Sequence, residues 1–129
     1  MDNLRNALLD LHRILIAEER AGYERRAGQV GAAAFLRVLI EDQAYAWLRP
    51  LSALIVRMDD EEEDGAALLA EARALVRPDF TGTPFQAGYA RLIEQSPDAA
   101  YAHGAVKQAL RYATGAWQEP SRSPAPPAS

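Results

Sequence analysis

Apolar side chains recur every three to four residues along most of the chain, the spacing of one face of an α-helix. In the first segment, about residues 3–26, the repeat is formed by Leu4, Leu8, Leu11 and Leu15. Similar stripes follow in residues 35–40, 47–58, 68–76, 85–93 and 99–113. No stretch shows the apolar–polar alternation of a half-buried strand. The pattern predicts an all-α fold, a compact bundle of five or six helices.

Capping and helix-breaking residues mark the ends of the predicted helices. Gly28 and Gly31 punctuate a predicted loop after the first helix. Thr83–Pro84 and Ser96–Pro97 are start signals, because a hydroxyl can cap a helix whose first position tolerates proline. Asp42 is expected to cap the element that follows it.

Pro50 interrupts the stretch "AYAWLRPLSALIVRM", residues 44–58. A proline inside a helix removes one backbone hydrogen bond and clashes with the preceding turn, at a cost of about 3 kcal/mol in a straight helix. The apolar residues on both sides keep one phase: Trp47, Leu51, Leu54 and Met58. This continuity favours a bend over a new start, so the sequence predicts a helix that is kinked at Pro50 and wraps around the core.

Length and composition indicate one domain. The chain has 129 residues, of which 49% are apolar, enough for a core without disulfides, and it has no cysteine. We place a single helical domain at residues 1–117. Residues 118–129, "QEPSRSPAPPAS", form a Pro/Ser-rich tail that is expected to be disordered because it offers little apolar surface to bury.

The distribution of charged residues argues against nucleic acid and membranes as partners. The net charge is −4, and the arginines are interleaved with Asp and Glu, so no basic stripe for nucleic acid is seen. No uncharged run approaches the roughly 18 residues that span a bilayer, and the charged N-terminal segment is not a signal peptide. We expect a cytoplasmic protein that binds neither nucleic acid nor membrane.

Two stretches resemble a known group of sequences. "YAWLRPLSALIVRMD" and "SPDAAYAHGAVKQAL" are similar to W-L-R-P-L-S and P-D-x-x-x-A-H stretches in small uncharacterised bacterial helical proteins. The resemblance covers most of residues 4–113. It implies a compact helical domain and no particular activity, and it draws attention to Trp47, Arg49, Pro50 and His103.

An acidic turn matches part of a calcium-binding loop. Residues 60–71 place acids or glycine at positions 1, 3, 5, 6 and 12 of a twelve-residue loop. However, position 3 is the longer Glu62, position 8 is Ala67, and no second loop is present to pair with it. Acids also cluster before a helix because they complement its N-terminal dipole. The second interpretation is favoured, and no metal is predicted.

Three titratable side chains lie within or beside apolar arcs. His12 and Glu19 fall inside the arc of the first helix, and His103 lies at the edge of the last one. These residues could form a small buried polar cluster if the two faces meet. The Glu-x-x-His pairs of a di-iron bundle and the His-Glu-x-x-His of a zinc enzyme are both missing. Ordinary hydrogen-bonded side chains are therefore the favoured interpretation, with no cofactor.

Arg49 completes the set of candidate ligand-binding residues, which are His12, Glu19, Arg49 and His103. Its planar guanidinium could clamp an anion, but a solvated position or a bridge to Glu41 or Asp42 is favoured. No catalytic residue is predicted, because Ser52 and Ser96 have no base at an identifiable spacing.

Two functional hypotheses follow from these patterns. The preferred one is a non-enzymatic helical interaction or regulatory protein of the bacterial cytoplasm, a homodimer or the partner of another protein. It rests on apolar faces in excess of what one neighbour covers, above all on the first helix. The alternative is a bundle that binds a small ligand or metal through residues 60–71 or through His12, Glu19 and His103.

Overall fold

The computed structural model describes the backbone of residues 2–122 and the side chains of residues 2–113. It contains α1 (Asp2–Ala27), α2 (Ala32–Glu41), a 3-10 helix (Gln43–Leu48), α3 (Arg49–Arg57), α4 (Gly65–Leu75), α5 (Pro84–Gln95) and α6 (Pro97–Arg122). Between residues 2 and 122 no strand occurs. The predicted all-α bundle is therefore confirmed.

The core is built around α1, which packs against α6, α3 and α5. All four leucines of the first stripe, Leu4, Leu8, Leu11 and Leu15, are completely buried. The stripe of α6 covers them with small residues, since Ala99, Ala102 and Val106 are buried. Small side chains let two helices approach closely, which explains why the alanine-rich α6 is the main neighbour of α1.

The predicted start signals are confirmed by backbone contacts. Thr83 and Gln86 form a capping box at the start of α5, with each side chain bonded to the backbone N–H of the other residue. The Ser96 hydroxyl accepts a hydrogen bond from the Ala99 N–H at 3.1 Å. Asp42 accepts one from the Ala44 N–H, and Gly28 ends α1 with φ of 91°, a conformation that glycine adopts at low cost.

Pro50 lies where a 3-10 helix passes directly into an α-helix, at the position where the sequence predicted one helix to bend. The 3-10 helix ends at Leu48, and α3 begins at Arg49 with Pro50 next to its start. A first-turn proline costs no hydrogen bond, because the N–H at this position has no partner within the helix. Leu48 and Arg49 both keep right-handed helical angles, which is why the apolar stripe continues in phase.

The C-terminal boundary proposed at residue 117 does not coincide with the end of a helix. α6 continues to Arg122, and the rest of the predicted tail, residues 123–129, lies outside the described residues. The division between domain and tail stays a prediction. Over the described part of the chain, no helix combines the length and the apolar character needed to cross a membrane.

Candidate functional site

Glu19 is the most buried acid described in the structure, at 8% exposure. One of its carboxylate oxygens accepts hydrogen bonds from the Trp47 indole N–H at 3.1 Å and from the Arg91 guanidinium at 3.2 Å. Arg91 also lies over the Trp47 ring, 5.9 Å from its centre. These contacts join α1, the 3-10 helix and α5. Glu19 is satisfied within the fold, and its oxygen connects three elements.

Gly88 allows the Trp47 ring to approach α5. A Cβ atom at this position would lie 2.7 Å from the Trp47 ring, well inside van der Waals contact. The same ring also packs against Phe85, one turn before Gly88, with ring centres 5.6 Å apart. Trp47 therefore packs against the core, as its place in the apolar stripe predicted, and its side chain is partly buried.

His103 is paired with a tyrosine. Its Nδ1 lies 2.6 Å from the Tyr89 hydroxyl, and Tyr89 is fully buried. Burial raises the pKa of Tyr89, so this phenol keeps its proton and shares one hydrogen bond with the imidazole. Burial, and then the charge of Lys107, lower the pKa of His103. The lowered pKa favours the neutral imidazole, and its tautomer decides whether Nδ1 or the phenol donates the hydrogen bond.

His12 does not join the other two residues in a cluster. It is half-buried on α1, and burial lowers its pKa. Within residues 2–113 its side chain makes no hydrogen bond or ion pair, whereas Glu19 and His103 have separate partners. The suggested network of His12, Glu19 and His103 is thus absent from the described contacts.

The acidic turn is held by an arginine. Glu71, at the last position of the calcium-loop match, lies within α4 and accepts a hydrogen bond from Arg57 at 2.7 Å. Arg57 also contacts Glu63, and the Asp60 and Asp64 side chains accept hydrogen bonds from nearby backbone N–H groups. Among the described side chains, no group of three or more His, Asp or Glu could hold a metal ion.

Arg49 contacts backbone rather than the acids considered in the sequence. Its guanidinium donates to the Ile40 carbonyl at 2.9 Å, in the last turn of α2. Carbonyls at a helix C-terminus have no partner within the helix, and the negative end of the dipole favours a cation there. Arg49 is therefore anchored beside α2, with its side chain exposed.

The largest departure from the predicted burial is on α2. Sequence periodicity placed Phe35, Leu36, Leu39 and Ile40 on one buried face, but only Phe35 is fully buried. Leu36 is 56% exposed and Ile40 is 63% exposed. With the exposed Ala32 and Ala33 they form a stripe on the outer side of the helix, which we call the α2 face.

The exposed apolar surface of α2 could have been expected from the width of its apolar arc in the sequence. At 100° per residue, the five large apolar residues of α2, with Val38 among them, span an arc of about 200°, which is wide for a helix of ten residues. The expected excess of apolar surface therefore lies on α2 rather than on α1. On α1 the large apolar side chain that remains exposed is Leu9, at 37%.

The described residues thus define a small all-α bundle with an exposed apolar helix face, and among them no group of three or more His, Asp or Glu side chains could hold a metal ion. Comparison with family models, curated proteins and solved structures finds no match for this chain. The resemblance to uncharacterised bacterial helical proteins stays a prediction.

Proposed function

We propose that this chain is a non-enzymatic interaction protein of the bacterial cytoplasm, and that its function is to bind another protein chain through the α2 face. The observation that supports this proposal is the exposure of Leu36 and Ile40 on one side of α2. Together with Ala32 and Ala33, they make a continuous apolar stripe rather than single scattered residues. The bacterial and cytoplasmic part of the proposal rests on the sequence alone.

The energetics of the two large side chains agree with binding. Covering a leucine or isoleucine removes apolar surface from water, and complete burial contributes roughly 1.5–3 kcal/mol per side chain. Both residues already expose more than half of their surface, so a partner would gain most of that amount at each position. Helices with such a face are typical binding surfaces for a second helix.

The alternative, a bundle that binds a small ligand or metal, has less support. Glu19 and His103 are engaged with Trp47, Arg91 and Tyr89, and Arg49 is anchored on a carbonyl. A ligand at these positions would have to replace contacts that the fold already uses. We therefore favour protein binding.

Site-specific spin labelling tests the proposed function directly, because the chain has no cysteine to label by accident. A nitroxide on Ile40→Cys is expected to lose mobility when concentrated unlabelled chain or a bacterial cell extract is added. The same label on Tyr101→Cys, an exposed position on α6, serves as the matched control and should stay mobile. Adding Leu36→Glu to the Ile40→Cys chain should restore mobility.

Two results would contradict the proposal. The first is a nitroxide at position 40 that stays as mobile in both mixtures as in dilute buffer. The second is immobilisation that is unaffected by Leu36→Glu. Circular dichroism of each labelled chain confirms that the helical fold is kept, which is expected because both substituted side chains are exposed.

A further inference from the structure

The charges around the α2 face indicate which kind of chain it binds, an inference that rests on the proposed function. Arg37 belongs to α2 itself and is exposed. The Arg49 guanidinium is fixed at the C-terminal turn of α2 by its hydrogen bond to the Ile40 carbonyl. Exposed cations thus lie on α2 and at its end, close to Ile40.

A third arginine is connected to α2 through an aromatic side chain. Arg26 donates to the Tyr45 hydroxyl at 3.1 Å. The Tyr45 ring packs edge-on against Phe35 of α2, with ring centres 5.6 Å apart. Arg26 therefore lies on the Phe35 side of α2, about 100° around the helix from Leu36. Arg37 and Arg49 are the arginines that adjoin the α2 face.

The local charge is opposite to that of the whole chain. Residues 25–50 carry four arginines against Glu41 and Asp42, a net charge of +2, whereas the chain as a whole has −4; of these arginines, Arg37 and Arg49 adjoin the α2 face. Asp42 is partly committed, because its carboxylate accepts the Ala44 N–H as a helix cap. Arg37 makes no ion pair with any residue from 2 to 113. Its charge is available to a partner.

This distribution disfavours a symmetric dimer through the α2 face. In a two-fold dimer the same patch lies on both sides, so each copy would bring its Arg37 and Arg49 toward those of the other copy. Like charges that face each other across an interface are repulsive. A membrane surface also fits less well, because Leu36 and Ile40 are accompanied only by alanines, without the aromatic residues typical of interfacial helices.

We propose that the α2 face binds an acidic amphipathic helix of a different protein. Apolar residues of that helix would cover Leu36 and Ile40, while its Asp or Glu side chains would pair with Arg37 and Arg49. The stripe follows the axis of a helix about 15 Å long, and ridges of a second helix fit such a stripe.

A displayed peptide library tests this proposal with a defined probe. The library consists of helical peptides of about 18 residues, with leucine fixed at i, i+3, i+4 and i+7 and with randomised flanking positions. Selection on the full chain is expected to enrich Asp and Glu at the flanks. Enriched peptides should bind Leu36→Glu and Arg37→Glu at least about tenfold more weakly and lose affinity as salt is raised.

Matched controls carry the same changes elsewhere on the surface. Tyr101→Glu introduces an acid at an exposed apolar position, and Arg111→Glu reverses an exposed cation, both on α6. Neither should change the affinity of the enriched peptides. Equal loss in these controls would overturn the proposal, because the effect would then follow from net charge and not from α2.

The remaining outcomes separate this inference from the proposed function. Peptides that depend on Leu36 but show no acidic bias would overturn the acidic partner and leave protein binding in place. A dimer that is seen by light scattering and that Leu36→Glu dissociates would likewise overturn the acidic partner and leave protein binding in place. If the chain binds anionic vesicles and Leu36→Glu abolishes this binding, the partner of the α2 face would be a membrane and not a helix. An absence of enriched peptides, or only peptides insensitive to Leu36→Glu, would overturn the inference.

Discussion

The indole N–H of Trp47 donates to the carboxylate of Glu19 at 3.1 Å, although the two residues are 28 positions apart. Glu19 is nearly buried, and the same oxygen accepts a second hydrogen bond from Arg91. A buried acceptor that serves two donors is costly to remove, because both donors then lose their partner. This contact fixes the 3-10 helix against α1.

Glu19→Ala is expected to lower the free energy of unfolding by about 1–3 kcal/mol. Most of the loss should come from the Trp47 hydrogen bond, since Arg91 keeps 43% exposure and its ion pair contributes about 1 kcal/mol at most. Glu19→Gln retains an acceptor and should lose less. Urea denaturation followed by Trp fluorescence measures both, and Glu94→Gln, an exposed change on α5, is the control. A Glu19→Ala chain as stable as the control would contradict this role.

Two glycine-to-alanine changes are expected to have opposite signs. At Gly88 the new methyl group would lie 2.7 Å from the Trp47 ring, which is held by Glu19 and Phe85. Overpacking of about 1–3 kcal/mol exceeds the gain of about 1 kcal/mol from helix propensity, so Gly88→Ala should destabilise the fold. A methyl group at Gly104 on α6 would lie in open space, so Gly104→Ala should stabilise by about 0.5–1 kcal/mol. Thermal melts of the two variants, compared with the unchanged chain, check the signs.

Apart from α2, periodicity predicted the buried helix faces, but it did not predict which residues meet. Glu19 falls inside the apolar arc of α1, and its burial follows from that position alone. Its partners do not, because Arg91 is 72 positions away and only the packing of α1 on α5 brings the two together. The Tyr89–His103 pair is hidden from the sequence for the same reason. Long-range pairing leaves no local pattern.

Two other differences have local causes. At Pro50 the apolar phase continues through the junction because a 3-10 helix and an α-helix both keep right-handed angles there, so phase alone could not separate a bend from a new start. On α2 the arc of apolar residues is wider than the neighbouring elements cover. Amphipathicity shows that a surface is apolar, but whether the rest of the same chain covers it depends on topology.

Acid is expected to destabilise the fold before its carboxylates titrate. The folded-state pKa values of His12 and His103 both lie below the ordinary value of 6.5. Below that pH the unfolded chain therefore binds more protons than the folded one, so stability decreases as pH falls from 6.5 toward the folded pKa values. Urea midpoints measured at about pH 7.5 and 5.5 should show this decrease. The double variant His12→Gln/His103→Gln should show a smaller one, and an unchanged pH response in it would contradict the assignment.

Calcium is expected to leave stability unchanged. Glu71, which the loop match would need as the terminal ligand, is engaged by Arg57, and that contact raises the pKa of the guanidinium. A ligand that binds the folded but not the unfolded state raises the melting temperature, and the increase grows with the ratio of free ligand to Kd. The melting temperature should therefore be the same in excess EDTA and in millimolar Ca²⁺. An increase that Glu71→Gln abolishes would show that the loop does bind the ion.

Neighbouring residues on α2 should respond very differently to truncation. Phe35 is 2% exposed and packs between Tyr23 and Tyr45, with ring centres 5.6 Å from each. Phe35→Ala is expected to lower the free energy of unfolding by about 3–5 kcal/mol, because it removes buried surface and leaves a cavity. Leu36→Ala removes a side chain that is 56% exposed and should cost about 0.5 kcal/mol or less in the isolated chain. Denaturation curves in dilute solution measure both changes. A loss at Leu36 as large as that at Phe35 would mean that the α2 face is covered within the chain itself, and that it is not open to a partner.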